Sequence, residues 1–219
     1  MEVFDTIETC RAIRYFKQDP VAPELIEKII FAATRAPSPG NTQGWDFVVV
    51  TDAAKRAELG TAIAELMQPI VDHVEAQFGG PEKLDDVTAR MLRGALNLAL
   101  GLAEVPVHIV VCGPNVYPQP NTTPEATIMA TTYPAAQNIL LAARALGLGS
   151  CLTTYQNTCG EAIHRILGIP DDVRVVSYIP IGYPDTEHNN FGPLARQPIE
   201  NFIHADGWQG QLRGAALPE

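Results

Sequence analysis

At 219 residues the chain has the length of one domain, at most two small ones, and can bury a sizeable core. Hydrophobic residues make up 46% and charged residues 18%, which excludes a disordered chain. The surface is poorer in charge than the roughly 25% usual for soluble domains, as when a partner subunit covers part of it, and a formal net charge of −10 argues against nucleic acid or a membrane surface as a partner.

The opening residues, MEVFDTIETC, carry no basic stretch leading into an apolar run, so the expected location is cytoplasmic with no secretory signal. Four cysteines without CxxC spacing, Cys10, Cys112, Cys151 and Cys159, are expected to be reduced thiols, two of them in apolar surroundings. Glu24 to Ala33 places Leu25, Ile26, Ile29, Ile30 and Ala33 on one face behind Pro23, the pattern of an amphipathic helix. Ala36 to Gly44, with two Pro and two Gly, breaks that pattern. Phe47 to Val50 reads as a short strand closed by Asp52, a good N-cap for a helix from Ala53. Thr61 to Ala103 is helical in composition, interrupted near Gly79-Gly80-Pro81, and its most apolar run, Ala95 to Ala103, is far short of the roughly 20 residues that span a bilayer. Val107 to Cys112 predicts a second strand, and the Pro- and Asn-rich stretch to about Thr127 a loop or lid. Tyr133 to Leu146 predicts a helix apolar around most of its circumference, ended by Gly147 and Gly149. Val173 to Ile179 predicts a third strand, and an extended tail follows from Gly192. The sum is an α+β fold, a single domain over 1–219 with helices sandwiching a small mixed sheet.

Three segments have the chemistry of a binding site. In Arg11-Ala12-Ile13-Arg14-Tyr15-Phe16, two guanidiniums in an acidic protein make either a small anion site or a solvated pair. The loop carrying Pro37, Ser38, Pro39 and Asn41 is either a rigid polar platform for a planar ligand or a plain helix-to-strand connection. Gly147 to Thr154 is a helix stop leading into an extended run of small residues that lets a ring approach the backbone; it is no dinucleotide fingerprint, because the GxG follows a helix and lacks a third glycine. No P-loop and no GxSxG elbow occurs, and no metal is expected: Glu161 and His164 lack a second such pair, while His73, His188 and His204 lack ligand spacing. His108, within a strand, is expected in the core or at an edge.

In this order the segments RAIRYF, ATRAPSPGNTQGW, AAQNILLAARALGLGSC, VVSYIPIGYP and ARQPIENFIH resemble the nitroreductase family of flavin oxidoreductases, over about Thr6 to His204. The resemblance implies an intertwined homodimer with one FMN in each interface site, the tail from about 192 to 219 packing on the partner subunit. It implies Arg11 and Arg196 at the FMN phosphate, with Ala12 and Ile13 alongside and Arg14 near the pyrimidine edge of the ring. Pro37, Ser38, Pro39 and Asn41 would come from the second subunit, and Leu152, Thr153 and Thr154 would line one ring face with backbone amides near N5. Cys10 and Ala12 stand where many members have Arg and Ser, which leaves two phosphate contacts weakened or passed to backbone NH groups; Leu194 stands where some members have Lys, and Asn97 is a candidate polar contact from the helix before the second strand. The implied activity is hydride transfer from NADH or NADPH through the flavin to a small acceptor such as a nitroaromatic, quinone or activated alkene, with no catalytic side chain required. The alternatives are a flavin-binding storage or sensing module without turnover, or the same fold used for another redox reaction such as dehalogenation.

Overall fold

The computed structural model describes residues 1–80, 86–114, 123–188 and 190–208. Four strands, β1 (Asp46–Val50), β2 (Val107–Pro114), β3 (Gly149–Ser150) and β4 (Val173–Gly182), form one sheet in the order β1-β2-β4-β3, and every named pair is antiparallel. A single bridge between Ala12 and Ser150 adds a parallel contact at the β3 edge. Around the sheet, among the described residues, lie six helices: α1 (Val3–Thr9), α2 (Pro23–Ala33), α3 (Ala53–Phe78), α4 (Asp86–Leu100), α5 (Pro124–Ala145) and α6 (Gln156–Leu167).

Both faces of the sheet are covered, which is why β2 is apolar almost throughout instead of alternating. Ile109 and Val111 join a core with Ile29 and Ala33 of α2 and Ala135, Ile139 and Ala143 of α5. Val110 and Cys112 point the other way, to Leu59 and Ile63 of α3, Leu98 of α4 and Ile163 of α6. The result is the expected sandwich, with helices on either side of a small sheet.

The helix α3 begins where Asp52 predicts, its carboxylate accepting from the Lys55 amide at 2.9 Å, and it ends at Gly79 in the left-handed region at φ 68°. Arg56, one turn in, donates to the Ala103 and Val105 carbonyls at 2.8 and 2.9 Å and ties α3 to the entry of β2. Asp52→Ala is expected to remove about 1 kcal/mol of stability, read as a lower urea midpoint with unchanged slope.

Two expectations need correction. The central helix begins at Pro124, not Tyr133: the Thr123 hydroxyl accepts from the Ala126 amide and Pro124 occupies the first turn, so the real start signal lies upstream. Pro134 sits inside the helix, preceded by Thr131 and Thr132, whose hydroxyls donate to the Thr127 and Ile128 carbonyls. The expected loop to Thr127 accordingly yields its last residues to α5, and positions 115–122 lie outside the described residues. The two-residue strand β3 lies within the extended run expected between Gly147 and Thr154, whereas the seven-residue opening helix α1 is not among the expected elements. No helix among the described residues is long and apolar enough to cross a membrane.

Candidate functional site

The first and third sequence segments meet at the β3 edge. The Ile13 amide donates to the Ser150 carbonyl at 2.9 Å, Phe16 bridges Pro184, and the Lys17 amide donates to the Tyr183 carbonyl at 2.9 Å. Arg11 to Lys17 is thereby laid along β3 and the end of β4. The approach is close because Gly149 has no side chain: a Cβ there would stand 2.7 Å from Ile13 Cγ2. Past Ser150 the chain stays extended along β4, with the Cys151 amide on the Pro180 carbonyl and the Thr153 amide and hydroxyl both on the Tyr178 carbonyl, at 3.0 and 2.7 Å. Since successive amides of an extended chain point to opposite sides, those of Leu152 and Thr154 face away from the sheet, toward the Arg11–Arg14 side. Thr153 is buried and its amide is already committed to the Tyr178 carbonyl, so of the three amides expected to face a ring this one is taken.

Arg11 is half-buried, and its Nε is fully buried with no hydrogen-bond partner. A buried guanidinium donor left unpaired is costly, and an anion is what satisfies it. Arg196 lies exposed on the tail, whose start is pinned nearby: the Gly192 amide donates to the Thr9 carbonyl at 3.2 Å. Arg14 turns inward against α4, its Cδ so near Gly94 that a Cβ there would come within 3.3 Å, and its carbonyl accepts from Asn97 Nδ2 at 2.9 Å. Burial pushes the Cys151 thiol up, while the charge of the nearby Arg14 guanidinium pulls it back. A cavity of about 170 Å³ lined by Arg14, Phe16, Asn97, Gly101 and Glu104 lies beside it, enough for a few waters and not for a tricyclic ring.

Among the described residues no hydrogen bond joins the second segment to the other two. Pro37–Asn41 precedes β1, at the opposite edge of the sheet from β3, three strand spacings or about 14 Å away. The loop is rigid in its own right: Gly40, Asn41 and Gln43 all have φ between 52° and 58°, and the Ser38 hydroxyl accepts from the Gln43 amide at 2.7 Å. Asn41 is exposed.

Among the described residues three of the four cysteines are buried and all are free thiols; burial pushes Cys112 up to about 12. His108 is fully buried, as expected of a core histidine. His164 of α6 hydrogen-bonds the Ile169 carbonyl, consistent with a structural role. Asp185, Glu187 and His188 cluster at the surface, where His188 pairs with Asp185 at 2.9 Å and stacks on Tyr15.

The model of the nitroreductase family matches residues 7–183. The chain is 32% identical over 209 residues to the "Putative NADH dehydrogenase/NAD(P)H nitroreductase" of Archaeoglobus fulgidus, covering 94% of this chain and 99% of that one. It is 31% identical over 182 residues to the 5,6-dimethylbenzimidazole synthase of Rhodospirillum rubrum, covering 81% and 80%. A nitroreductase with bound FMN from Desulfitobacterium hafniense shares the fold at a TM-score of 0.69 and 19% identity, over 94% of this chain and all of that one.

Proposed function

The chain belongs to the nitroreductase family, an oxidoreductase family, and from that premise we propose that it is an FMN-dependent enzyme passing hydride from NADH or NADPH to a small acceptor such as a nitroaromatic, quinone or activated alkene. The observation that carries the reading is the buried, unpartnered Arg11 Nε beside an extended segment with outward-facing amides. An anionic tail answers the first and a flat ring the second, and FMN has both. The named activity of the Archaeoglobus fulgidus relative and the FMN bound by the Desulfitobacterium hafniense protein support the same assignment.

When bound, FMN supplies the hydride chemistry, at its N5. The protein's share is orientation and electrostatics. Arg11 and Arg196 would hold the phosphate through charge-assisted hydrogen bonds. Ala12 and Ile13, through their pairing with Ser150, fix where Arg11 and Arg14 project. Arg14, whose backbone carbonyl Asn97 holds, would place a cation near the pyrimidine edge, where it would favour the negative charge of the reduced ring. Leu152 and Thr154 would offer backbone amides to the ring, with Thr153 anchoring them to the sheet. No side chain need act as general acid, since water could supply the protons.

The site takes its second wall from a second copy of the chain. Pro37, Ser38, Pro39 and Asn41 stand at the wrong sheet edge to reach Leu152–Thr154 of their own chain, and a homodimer removes that separation. Val3, Phe4 and Ile7 of α1 and Phe31 of α2 are 61, 80, 52 and 64% exposed, an apolar surface of the kind that an interface covers. The tail from about 192 packs on that second copy, its positions 209–219 lying outside the described residues, and the protein acts in the cytoplasm.

The test is an anaerobic spectrum. The purified protein is expected to be yellow, to bleach on addition of NADH or NADPH, and to recover its colour with a nitroaromatic or quinone. A colourless protein that takes up no FMN overturns the assignment; a yellow one that neither nucleotide bleaches makes the chain a flavin store or sensor instead. The Rhodospirillum rubrum relative gives the remaining alternative, another redox reaction on the same fold, which product analysis separates.

A further inference from the structure

We propose that Arg144, at the end of α5, is a third cation of the phosphate site, beside Arg11 and Arg196. The proposal rests on the FMN reading above. Two other parts of the chain, α5 and the tail, converge on Thr9, two residues before Arg11. Arg144 Nε donates to the Thr9 hydroxyl at 2.9 Å, the Gly192 amide of the tail donates to the Thr9 carbonyl, and the Arg144 guanidinium lies 4.0 Å over the ring of Phe191. These contacts use one nitrogen and one face of the guanidinium. They leave its two terminal nitrogens as donors, held in a fixed plane.

The neighbourhood has positive charge, and no described carboxylate forms an ion pair with Arg11 or Arg144. Among the described residues the ion pairs lie elsewhere, at Arg165–Glu58, Arg174–Glu125 and His188–Asp185. In a chain of net charge −10, guanidiniums kept clear of carboxylates mark a place reserved for another anion. The backbone cannot take that anion alone. The helix ends that meet here, α1 at Thr9 and α5 at Ala145, are both C-termini, whose carbonyls repel negative charge. Cys10 and Ala12, on either side of Arg11, bring no cation. A phosphate monoester carries about −1.5 to −2 charges at neutral pH, and a half-buried Arg11 with an exposed Arg196 is thin provision for it. Arg144 supplies further positive charge, which also acts on the Cys10 thiol next to Arg11.

Arg144 also ties α5 to α1 and the tail, so the test must separate phosphate binding from packing. FMN and riboflavin share the ring and differ in the phosphate. Both are titrated by fluorescence into the flavin-free full-length protein, for the unmodified chain, Arg144→Met and Arg144→Lys. Arg144→Met is expected to weaken FMN about tenfold or more while leaving riboflavin unchanged, and to flatten the salt dependence of FMN binding. Arg144→Lys, which keeps the charge and loses the planar fork, should fall between. If Arg144→Met does not fold, an FMN-selective loss in Arg144→Lys carries the same conclusion. Equal loss of both flavins, or no loss of either, overturns the proposal and leaves Arg144 a packing residue. Binding of neither flavin by the unmodified chain instead refutes the FMN reading beneath it, and the proposal falls with it.

Discussion

Replacing Gly149 with valine is expected to lower stability by about 3 kcal/mol or more and to release the flavin. Gly149 and Gly147 stand two apart in one motif, and the structure gives them different jobs. Gly147 has φ 78° and nothing within 4 Å of where a Cβ would be. It closes α5 in a Schellman turn, with the Leu148 amide on the Ala143 carbonyl at 2.8 Å and its own amide on the Arg144 carbonyl at 3.1 Å. Gly147→Ala therefore carries only the left-handed backbone penalty, about 1–2 kcal/mol. Gly149 has ordinary backbone angles and no room: three atoms of Ile13 lie within 2.7–3.0 Å of a built Cβ. Ile13 is fully buried, so it has nowhere to retreat. A valine must push the Arg11–Arg14 segment off the sheet edge, breaking the Ile13–Ser150 hydrogen bond and misplacing both guanidiniums. Urea unfolding with flavin retention on gel filtration checks both variants. A Gly149→Val protein as stable and as yellow as the parent would show that this seam does not position the arginines.

That contrast marks what the sequence made legible. Local signals carried the elements whose causes are local: Asp52 and Gly79 bracketing α3, the Pro- and Gly-rich loop before β1, and the apolar runs of β2 and β4. The start of α5 was misread because Pro134 looks like a first-turn proline, while the true cap, Thr123-Pro124, sits in a stretch that reads as loop. α1 has no side-chain cap, and β3 has only two residues, so neither leaves a periodic trace. The candidate site was legible as a set of segments but not as a geometry. That Thr153 spends its amide on Tyr178 follows from strand pairing across 25 positions, and that Arg144 reaches Thr9 follows from helix packing across 135. Arg144 sits in plain view within ARALGLG, yet as a sequence feature it is one more helical arginine; only its partners set it apart.

The second large effect is an acid one, centred on His108. Its Nε2 lies 3.0 Å from the Leu102 carbonyl, which can only accept, so the ring proton is on Nε2 and Nδ1 accepts from the Tyr178 hydroxyl at 2.6 Å. Both nitrogens are thus satisfied in the neutral ring, and a second proton would have to displace the Tyr178 hydrogen bond in a fully buried place. Burial first, and then the charge of Arg56, push His108 down to about 4, against the upward pull of the Leu102 carbonyl. The unfolded chain titrates near 6.5, so between pH 6.5 and 4 it binds the proton that the folded chain refuses. Stability from this residue is therefore complete above 6.5 and drains away as pH falls, by about 3 kcal/mol at pH 4. His108→Gln, which cannot titrate, should start less stable at pH 7 and lose less on acidification, so the gap between the two urea midpoints should narrow. A gap of constant width would place the acid sensitivity elsewhere. The consequence reaches the site, because the turn at Leu102–Glu104 held by His108 also forms part of the floor under Arg14, and Tyr178 meets Tyr155 edge-on at 5.9 Å on the same side. Flavin release on acidification should accordingly set in at a lower pH in His108→Gln than in the parent, relative to each protein's own stability at pH 7.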